Sequence, residues 1–231
     1  MESKKDFFFI YFGGELFNHK DLTGNAFLAE AIYRVSGGKY RCALPQNFEQ
    51  RKANPKSIRD EDILNLIQCD AAIFNYDGAE LDSGTVVEFM FAKFADIPSL
   101  IVRTDFRTGG DCDGEGSFPW NLMTSFYPRT RVILANAASD YKVALRNYFL
   151  ADGVEYSSAM SGSEIAKIMT EAIAKRIVEG LDGVIGEKPK MPGTLSESVF
   201  EWLKDMPNFE NPKSRERIAL ALRRKKEKKL L

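Results

Sequence analysis

The chain has 231 residues and a hydrophobic fraction of 44%, which is enough for one domain of ordinary size with a real core and an appendage. Its 32 lysines and arginines nearly balance its 33 aspartates and glutamates, so no overall basic field favours binding to nucleic acid or to an anionic membrane. No apolar run approaches the roughly 20 residues that cross a bilayer, and the polar start does not resemble a signal peptide, so we expect a cytoplasmic protein.

The first part of the chain alternates short apolar runs with helical patterns. Residues 7–12 form a continuous apolar run before two glycines, as in a strand that is buried on both faces of a parallel sheet. The pattern then predicts a helix over 24–35, a strand over 40–44, a helix over 57–68, a strand over 70–75 and a polar loop over 76–83.

The second part continues the alternation and ends in a different composition. It predicts a helix over 84–94, a strand over 98–102, a glycine-rich mobile loop over 105–116, a strand over 131–134, helices over 140–149 and 163–181, a linker over 183–193 and short helices over 195–204 and 215–222. The basic run 223–229 is interpreted as a solvated, frayed helix terminus, with a contact to nucleic acid or phosphate as the alternative.

Strands that alternate with helices predict an α/β fold, here a doubly wound, flavodoxin/Rossmann-like sheet of five parallel strands with helices on both faces. We assign residues 1–182 to this domain and residues 183–231 to a linker and a helical C-terminal extension, which we expect to pack on a neighbouring subunit. Ligands of such sheets bind outside the carboxyl ends of the strands. Four loops gather at that edge, those after Phe12, Leu44, Asn75 and Val102.

Acidic side chains are concentrated between residues 59 and 95. They are Asp62, Asp70, Asp77, Asp82 and Glu88. The segment 82–88 follows the loop after a strand and begins a helix. This position puts Glu88 near the helix start, at the edge of the sheet where ligands bind. Taken alone, the pattern favours a structural interpretation: Thr85-x-x-Glu88 fits a capping box with Asp82 or Ser83 as the N-cap, and Asp62 fits an ordinary acid in the first turn of a helix.

The cysteines and the single histidine argue against a disulfide framework and a metal centre. Cys42, Cys69 and Cys112 are an odd number at wide spacing, without a C-x-x-C pair. His19 cannot build a histidine-rich site alone, and it fits a surface loop better than a general base. We therefore expect no structural zinc site and no histidine-rich metal site.

Four separated segments resemble the nucleoside 2-deoxyribosyltransferase family. They are residues 10–17 (IYFGGELF), 62–70 (DILNLIQCD), 82–88 (DSGTVVE) with Ala92, and 120–123 (WNLM). They are similar, in order, to the family's opening strand and pocket loop, its two spaced aspartates, its signature helix and an Asn-Leu-Met element that reaches a neighbouring subunit's site. The resemblance covers roughly the first two-thirds of the chain, and the family's closing C-terminal tyrosine has no identified counterpart here.

The resemblance implies a covalent mechanism. Glu88 corresponds to the nucleophile that traps the oxocarbenium-like sugar as an ester. Asp62 corresponds to the residue that protonates the leaving base and deprotonates the incoming one, which needs a raised pKa. Asp82 and Asn121 correspond to the pair that binds sugar hydroxyls, and Asn121 would come from a partner subunit.

The remaining implied pocket residues bind or enclose the substrate. They are Tyr11, Gly13, Phe17, Gln46, Asn121 and Met123. Tyr11 corresponds to the residue that orients the nucleophile, and Phe17 and Met123 to walls beside the base, although core packing is equally open for Tyr11 and Phe17. Gln46 is the expected polar contact to the base, with Gln50 nearly as good.

The implied activity is exchange of the base of 2-deoxyribonucleosides, including purines, with retention, in nucleotide salvage. One alternative is hydrolysis of 2-deoxynucleoside 5′-monophosphates. It needs a phosphate cradle, which Glu15 in the first loop opposes and Arg103 with Arg107 could supply. Another is a non-catalytic nucleotide-binding domain in which Glu88 is only a cap. The resemblance implies small-molecule partners, an even-numbered homo-oligomer, and neither a metal nor a cofactor. The balanced charge argues against a nucleic-acid or membrane partner, and purine-only and broad base specificity both stay open.

Overall fold

The structure is a computed structural model that describes residues 7–48, 54–107, 116, 118–152 and 162–231. The elements are β1 (Phe8–Gly13), α1 (His19–Val35), β2 (Tyr40–Ala43), α2 (Pro55–Gln68), β3 (Ala71–Asn75), α3 (Ser83–Phe94), β4 (Ser99–Arg103), β5 (Thr130–Leu134), α4 (Ala137–Asp152), α5 (Gly162–Ile185), α6 (Gly193–Asp205) and α7 (Pro212–Glu227). Short 3-10 turns lie at Pro45–Asn47 and Leu122–Thr124. Across the described residues, no helix has the length and apolar character that crossing a bilayer requires.

The five strands form one parallel sheet in the order β2-β1-β3-β4-β5, which confirms the predicted doubly wound α/β fold. The chain moves outward from β1 to β2 and then returns to β3 on the other side of β1. This reversal creates a crevice between the carboxyl ends of β1 and β3, where Gly13 lies opposite Phe74. Such a switch point is where open α/β sheets bind ligands.

Two hydrophobic clusters cover the two faces of the sheet. Ile32 of α1 and Ile177 of α5 belong to the cluster on one face. Ile67 of α2 and Phe89 of α3 belong to the cluster on the other face. Burial on both sides explains why the strands are continuous apolar runs in the sequence.

Polar caps determine where several helices begin. The side chains of Asn18, Asn54, Asp82 and Asn211 accept hydrogen bonds from backbone N–H groups of the following first turn. Helix α1 therefore begins at His19, a full turn before the start at residue 24 that apolar spacing predicted.

The C-terminal extension packs on its own α/β domain, which corrects the expectation that it packs on a neighbouring subunit. Phe200 of α6 and Ile218 of α7 are buried in the same cluster as Leu66 of α2. Helix α5 also runs through the proposed boundary at residue 182 and ends at Ile185, so the connection to α6 is shorter than predicted. The division into two units stays a prediction.

The basic end of α7 packs against the C-terminus of α2, whereas the sequence predicted a solvated, frayed helix terminus. Lys225 is only 1% exposed, and its ammonium donates to the carbonyl of Cys69. The guanidinium of Arg224 donates to the carbonyl of Gln68. The Nζ atom of Lys228 lies 2.8 Å from Oδ2 of Asp70. Because the last carbonyls of a helix carry partial negative charge, these cations also stabilise the C-terminus of α2. Burial lowers the pKa of Lys225 to about 8, and the nearby charge of Asp70 opposes that shift.

Candidate active site

Glu88 and Tyr11 meet at the switch point of the sheet. Glu88 lies in the second turn of α3, and Tyr11 lies on the buried strand β1. The hydroxyl of Tyr11 donates a hydrogen bond of 2.7 Å to Oε1 of Glu88. The tyrosine thus fixes the direction of the carboxylate, as the sequence comparison implied for this residue.

Gly13 makes room for the same carboxylate. A Cβ atom at this position would lie 2.7 Å from Oε2 of Glu88 and 3.1 Å from the ring of Phe74. A side chain here would therefore push the glutamate out of its place. This role is steric support of Glu88, whereas the sequence comparison implied a contact to substrate.

Glu88 opens onto a pocket of about 750 Å³, a size typical of sites for small molecules. The lining residues are Pro55, Ile58, Arg59, Asp62, Ile63, Ser83, Gly84, Val87, Glu88, Phe91, Met206 and Pro207. Two carboxylates, Asp62 and Glu88, therefore share one pocket whose other walls are mainly apolar. The spacing of these acids in the sequence is explained by their positions on α2 and α3, which pack side by side.

The electrostatic environment keeps Glu88 close to its protonation midpoint at neutral pH. Burial raises the pKa of Glu88 to about 7, the hydrogen bond from Tyr11 lowers it, and the charges of Asp62 and Asp82 raise it. Burial next to this carboxylate also raises the pKa of Tyr11 well above its usual value, so the phenol stays a donor. The chemistry of the site is that of a desolvated carboxylate beside a second carboxylate.

Glu88→Gln is expected to stabilise the folded protein by about 3 kcal/mol above pH 7, because a carboxyl pKa raised from 4.5 to about 7 makes ionisation cost folding free energy. Between pH 4.5 and about pH 7 the folded native protein binds one more proton than the unfolded chain. The destabilisation by Glu88 therefore grows as the pH rises through this range and is absent below pH 4.5. Urea unfolding at pH 4.5 and pH 8 measures the difference. Glu80→Gln, at an exposed carboxylate in the loop before α3, is the control and should change little. Equal effects of Glu88→Gln at both pH values would contradict the prediction.

The capping-box interpretation of Glu88 is wrong. Asp82 is the N-cap of α3, and its Oδ2 accepts from the backbone N of Thr85 at 2.7 Å and from its hydroxyl at 2.8 Å. A capping box would put the glutamate at the position of Thr85, whereas Glu88 lies almost one turn further on. Asp82 therefore has a structural role, while its charge still reaches Glu88.

Asn121 and Met123 lie on the other side of α3 from the carboxylate pair. They line a separate pocket of about 580 Å³, and Ser83 and Val87 border both pockets. Asn121 accepts a hydrogen bond of 2.9 Å from the backbone N of Met123, whose side chain is 75% exposed. Within one subunit, the structure thus does not bring this pair together with Glu88.

A predicted wall residue, Phe17, and the predicted polar contact to the base, Gln46, do not line the Glu88 pocket. Phe17 is 75% exposed in the loop after β1. Gln46 donates from its amide to the carbonyl of Leu22 at 3.0 Å, which ties the loop after β2 to α1. Gln50, the alternative contact to the base, lies outside the described residues.

The two arginines that could form a phosphate cradle bind other groups of the chain. Arg103 is 2% exposed and donates to the carbonyls of Tyr76, Gly78 and Arg107. Arg107 forms an ion pair with Asp105. Part of the loop predicted as mobile, residues 108–115, lies outside the described residues, as does Cys112.

Cys42 and Cys69 are free thiols, and His19 lies exposed in the first turn of α1. Among the described residues, no group of three or more histidine, cysteine or carboxylate side chains is placed to hold a metal ion.

Among the pocket residues that the sequence did not reveal are Arg59, Met206 and Pro207. Arg59 lies three residues before Asp62 on α2, so helical spacing could have pointed to it. Met206 and Pro207 are more than 110 residues beyond Glu88, and only the packing of the extension on α2 brings them to the site.

The model of the nucleoside 2-deoxyribosyltransferase family matches residues 10–123. Among solved structures, the chain is similar to a conserved protein from Enterococcus faecalis V583, at 26% identity and a TM-score of 0.47 over 56% of this chain and 92% of that one. It is also similar to a 2-desoxiribosyltransferase from Leishmania mexicana, at 21% identity and a TM-score of 0.43 over 63% of this chain and 99% of that one. No curated protein sequence matches it significantly.

Proposed function

We propose, from the match of residues 10–123 to the model of the nucleoside 2-deoxyribosyltransferase family, that this protein exchanges the nucleobase of 2-deoxyribonucleosides through a deoxyribosyl ester of Glu88. The observation that carries the proposal is the position of Glu88, which Tyr11 orients at the switch point and which shares a pocket with Asp62. A cap residue needs neither the tyrosine nor the second carboxylate. The arrangement therefore favours catalysis over a non-catalytic nucleotide-binding domain.

The proposed reaction has two displacements at C1′ of the sugar. In the first, a carboxylate oxygen of Glu88 forms a bond to C1′ while the C1′–N bond breaks, and Asp62 gives its proton to the leaving base. In the second, a nitrogen of the incoming base bonds to C1′, the ester bond breaks, and the proton of that nitrogen goes to Asp62. Two inversions give net retention, and each glycosidic bond is replaced by another.

The shared pocket supports this division of labour between the two carboxylates. Ionised Asp62 raises the pKa of Glu88, so protonation of Asp62 favours the ionised form of the nucleophile. A base that accepts a hydrogen bond from protonated Asp62 therefore promotes ionised Glu88. The reaction starts from that state, in which the pair carries one proton.

The same geometry favours the transferase over the monophosphate hydrolase. Glu15 in the first loop has a raised pKa because of burial and the charges of Asp21, Asp82 and Asp77, so the surroundings of this loop are acidic. Arg103 is committed to backbone carbonyls, as described above. A phosphate would meet negative charge on this side of the switch point.

We also propose that Asn121 and Met123 complete the site of a neighbouring subunit in an even-numbered homo-oligomer. Their pocket lies beyond α3 from their own Glu88, and Leu122 between them is 43% exposed. An exposed apolar segment next to a polar amide is suited to a contact with another copy of the chain. Asp82 and Asn121 would then bind the sugar hydroxyls together, and the reaction would serve nucleotide salvage.

Product analysis by chromatography tests the function directly. The purified protein is incubated with deoxyinosine and adenine, with deoxyinosine alone, and with deoxyguanosine monophosphate. We expect deoxyadenosine in the first mixture, and thymidine as the donor then shows whether the enzyme is restricted to purines. Release of guanine from the monophosphate without base exchange would instead assign the hydrolase, and no reaction in any mixture would contradict both enzymatic proposals.

Tyr11→Phe is expected to lower kcat/KM by about tenfold below pH 7 and to move its alkaline limb to higher pH by about one unit. The lost hydrogen bond, of the kind worth about 1.5 kcal/mol or more when the acceptor is charged, lowers the pKa of Glu88 in the native protein. Activity should fall as the pH rises through about 7 in the native enzyme, because the carboxylate pair then loses the proton that Asp62 must donate, and it should fall at a higher pH in the variant. Tyr33→Phe, at a half-exposed tyrosine on α1, is the control, and superimposable profiles of all three proteins would refute the assigned role of Tyr11.

A further inference from the structure

We propose that Met206 and Pro207, in the turn between α6 and α7, form the wall against which the nucleobase lies, so that the C-terminal extension selects the base. Both residues line the same pocket as Asp62 and Glu88. This inference rests on the proposed function of that pocket. It assigns base specificity to a segment that lies outside the matched family domain.

The pocket has three sides, and the extension supplies one of them. Helix α2 contributes Ile58 and Asp62, helix α3 contributes Val87 and Glu88, and the α6–α7 turn closes the third side. On α6 itself, Phe200 and Leu203 are each 1% exposed, whereas Met206 is 40% exposed. The methionine therefore presents apolar surface to the pocket instead of filling the core.

The turn is attached to the helix that carries Asp62. The guanidinium of Arg59 donates to the carbonyl of Pro207 at 2.7 Å, and the ammonium of Lys56 donates to the carbonyl of Asn208 at 2.9 Å. The position of the wall relative to Asp62 is therefore defined by direct contacts between the turn and α2.

A second set of contacts fixes the helix that follows the turn. Arg217 of α7 binds Glu61 with two hydrogen bonds of 2.7 and 2.8 Å and also reaches Gln68 at 2.7 Å. Phe209, just after the turn, is only 7% exposed. The wall is thus held from both sides, and bidentate pairing of this kind restricts orientation as well as distance.

The chemistry of this wall suits the flat face of a heteroaromatic base. The thioether of Met206 is polarisable and contacts aromatic rings favourably, and the side chain of Pro207 has no hydrogen-bonding group. Such a wall distinguishes bases by size and shape, while Asp62 supplies the polar contact. We expect the larger purine to contact the turn and the smaller pyrimidine to leave it largely untouched.

Met206→Ala is therefore expected to reduce kcat/KM with adenine as the acceptor by about tenfold, and with cytosine by less than about twofold. The loss follows from removing most of one apolar side chain from a contact that only the purine makes. Leu220→Ala, at a half-exposed position of α7 outside the pocket, is the matched control and should leave both values unchanged. Met206→Leu should keep kcat/KM with adenine and with cytosine close to the native values, since leucine keeps most of the apolar volume of methionine.

A second readout does not depend on catalysis. In the full-length protein with ¹³C-labelled methionine methyl groups, the resonance of Met206 is identified by its loss in Met206→Leu. Adenine at millimolar concentration should shift it, because an aromatic ring next to the methyl group changes its local field. The methyl of Met191, which is absent from the pocket lining, should stay in place.

The two measurements separate this inference from the proposed function. Base exchange by the native protein, with an unmoved Met206 methyl and an unchanged base preference in Met206→Ala, would overturn the wall and leave the transferase. A shifted methyl without base exchange would overturn the transferase and support base binding at the turn. Neither base exchange nor a shift would overturn both.

Discussion

Glu88→Gln should reduce base exchange by at least about 10⁴-fold, because the reaction loses its nucleophile while the site keeps its shape. The glutamine oxygen can still accept the hydrogen bond from Tyr11, which is 2.7 Å long in the native protein. An amide is a far weaker nucleophile than a carboxylate and does not form the ester intermediate. The effect is therefore chemical rather than a consequence of misfolding.

Intact mass spectrometry tests the same assignment without turnover. When a 2-deoxynucleoside is supplied without an acceptor base, the native protein should gain the mass of one deoxyribosyl group. Glu88→Gln and Glu88→Ala should gain none, and Glu216→Gln, at an exposed carboxylate of α7 outside both pockets, should gain the same mass as the native protein. An adduct on Glu88→Ala would exclude this glutamate as the nucleophile.

Activity and stability should change in opposite directions at Glu88. The buried carboxylate, with a pKa of about 7, destabilises the folded protein in its ionised form, which is the form that the reaction needs. Glu88→Gln is thus expected to be both more stable and inactive above pH 7. A residue retained only as a helix cap would lose stability when it is replaced, so this pair of results separates the two interpretations.

The sequence was sufficient for the fold because local and global signals agree. Strands such as β3 (Ala71–Asn75) are buried on both faces and read as continuous apolar runs, and each is followed by a helical pattern. The predicted helix starts were less accurate, because the N-cap residue lies before the first apolar position of the helix. The N-cap Asn18 is an example, since its side chain begins α1 a full turn before the apolar spacing does.

The residues that meet in the candidate site were predicted from the segments that resemble the family, because the local pattern alone favoured helix-start roles for Asp62 and Glu88. Tyr11, Asp62 and Glu88 stand at strand and helix positions that the α/β topology brings to one edge, and the structure brings all three together. Gln46 follows its strand as expected, but its amide donates to α1 instead of facing the pocket. Met206 is near Asp62 only because the extension packs on α2, and no local pattern specifies that contact.

The docking of the basic end shows the same limit in electrostatic terms. A run of cations usually marks a solvated surface, and Arg223 and Lys226 are indeed exposed. Lys225 is buried because helical spacing turns it toward the C-terminus of α2, where carbonyl groups and Asp70 accept positive charge. The carbonyl of Cys69, which accepts the hydrogen bond from buried Lys225, is more than 150 residues away along the chain. Composition alone could therefore not predict this contact.

Asp70→Asn is expected to lower the free energy of unfolding by about 3–5 kcal/mol, because it leaves buried Lys225 and partly buried Lys228 without their counter-charge. Asp70 is fully buried, and its Oδ2 accepts from the backbone N of Phe9 and from the ammonium of Lys228, each at 2.8 Å. The charge of Asp70 also raises the pKa of Lys225, which burial lowers to about 8. Without Asp70 this pKa falls further, so charging Lys225 in the folded state costs more below pH 8.

The pH dependence of this loss tests its origin. At pH 9, folded Lys225 is mostly neutral with or without Asp70, so its share of the penalty disappears and the loss should be smaller than at pH 6. Urea unfolding at the two pH values measures the difference. Asp205→Asn, which removes an exposed ion pair with Arg215, should cost less than about 1 kcal/mol at either pH. A loss below about 1 kcal/mol for Asp70→Asn would mean that apolar packing, rather than this buried charge cluster, attaches α7 to the sheet.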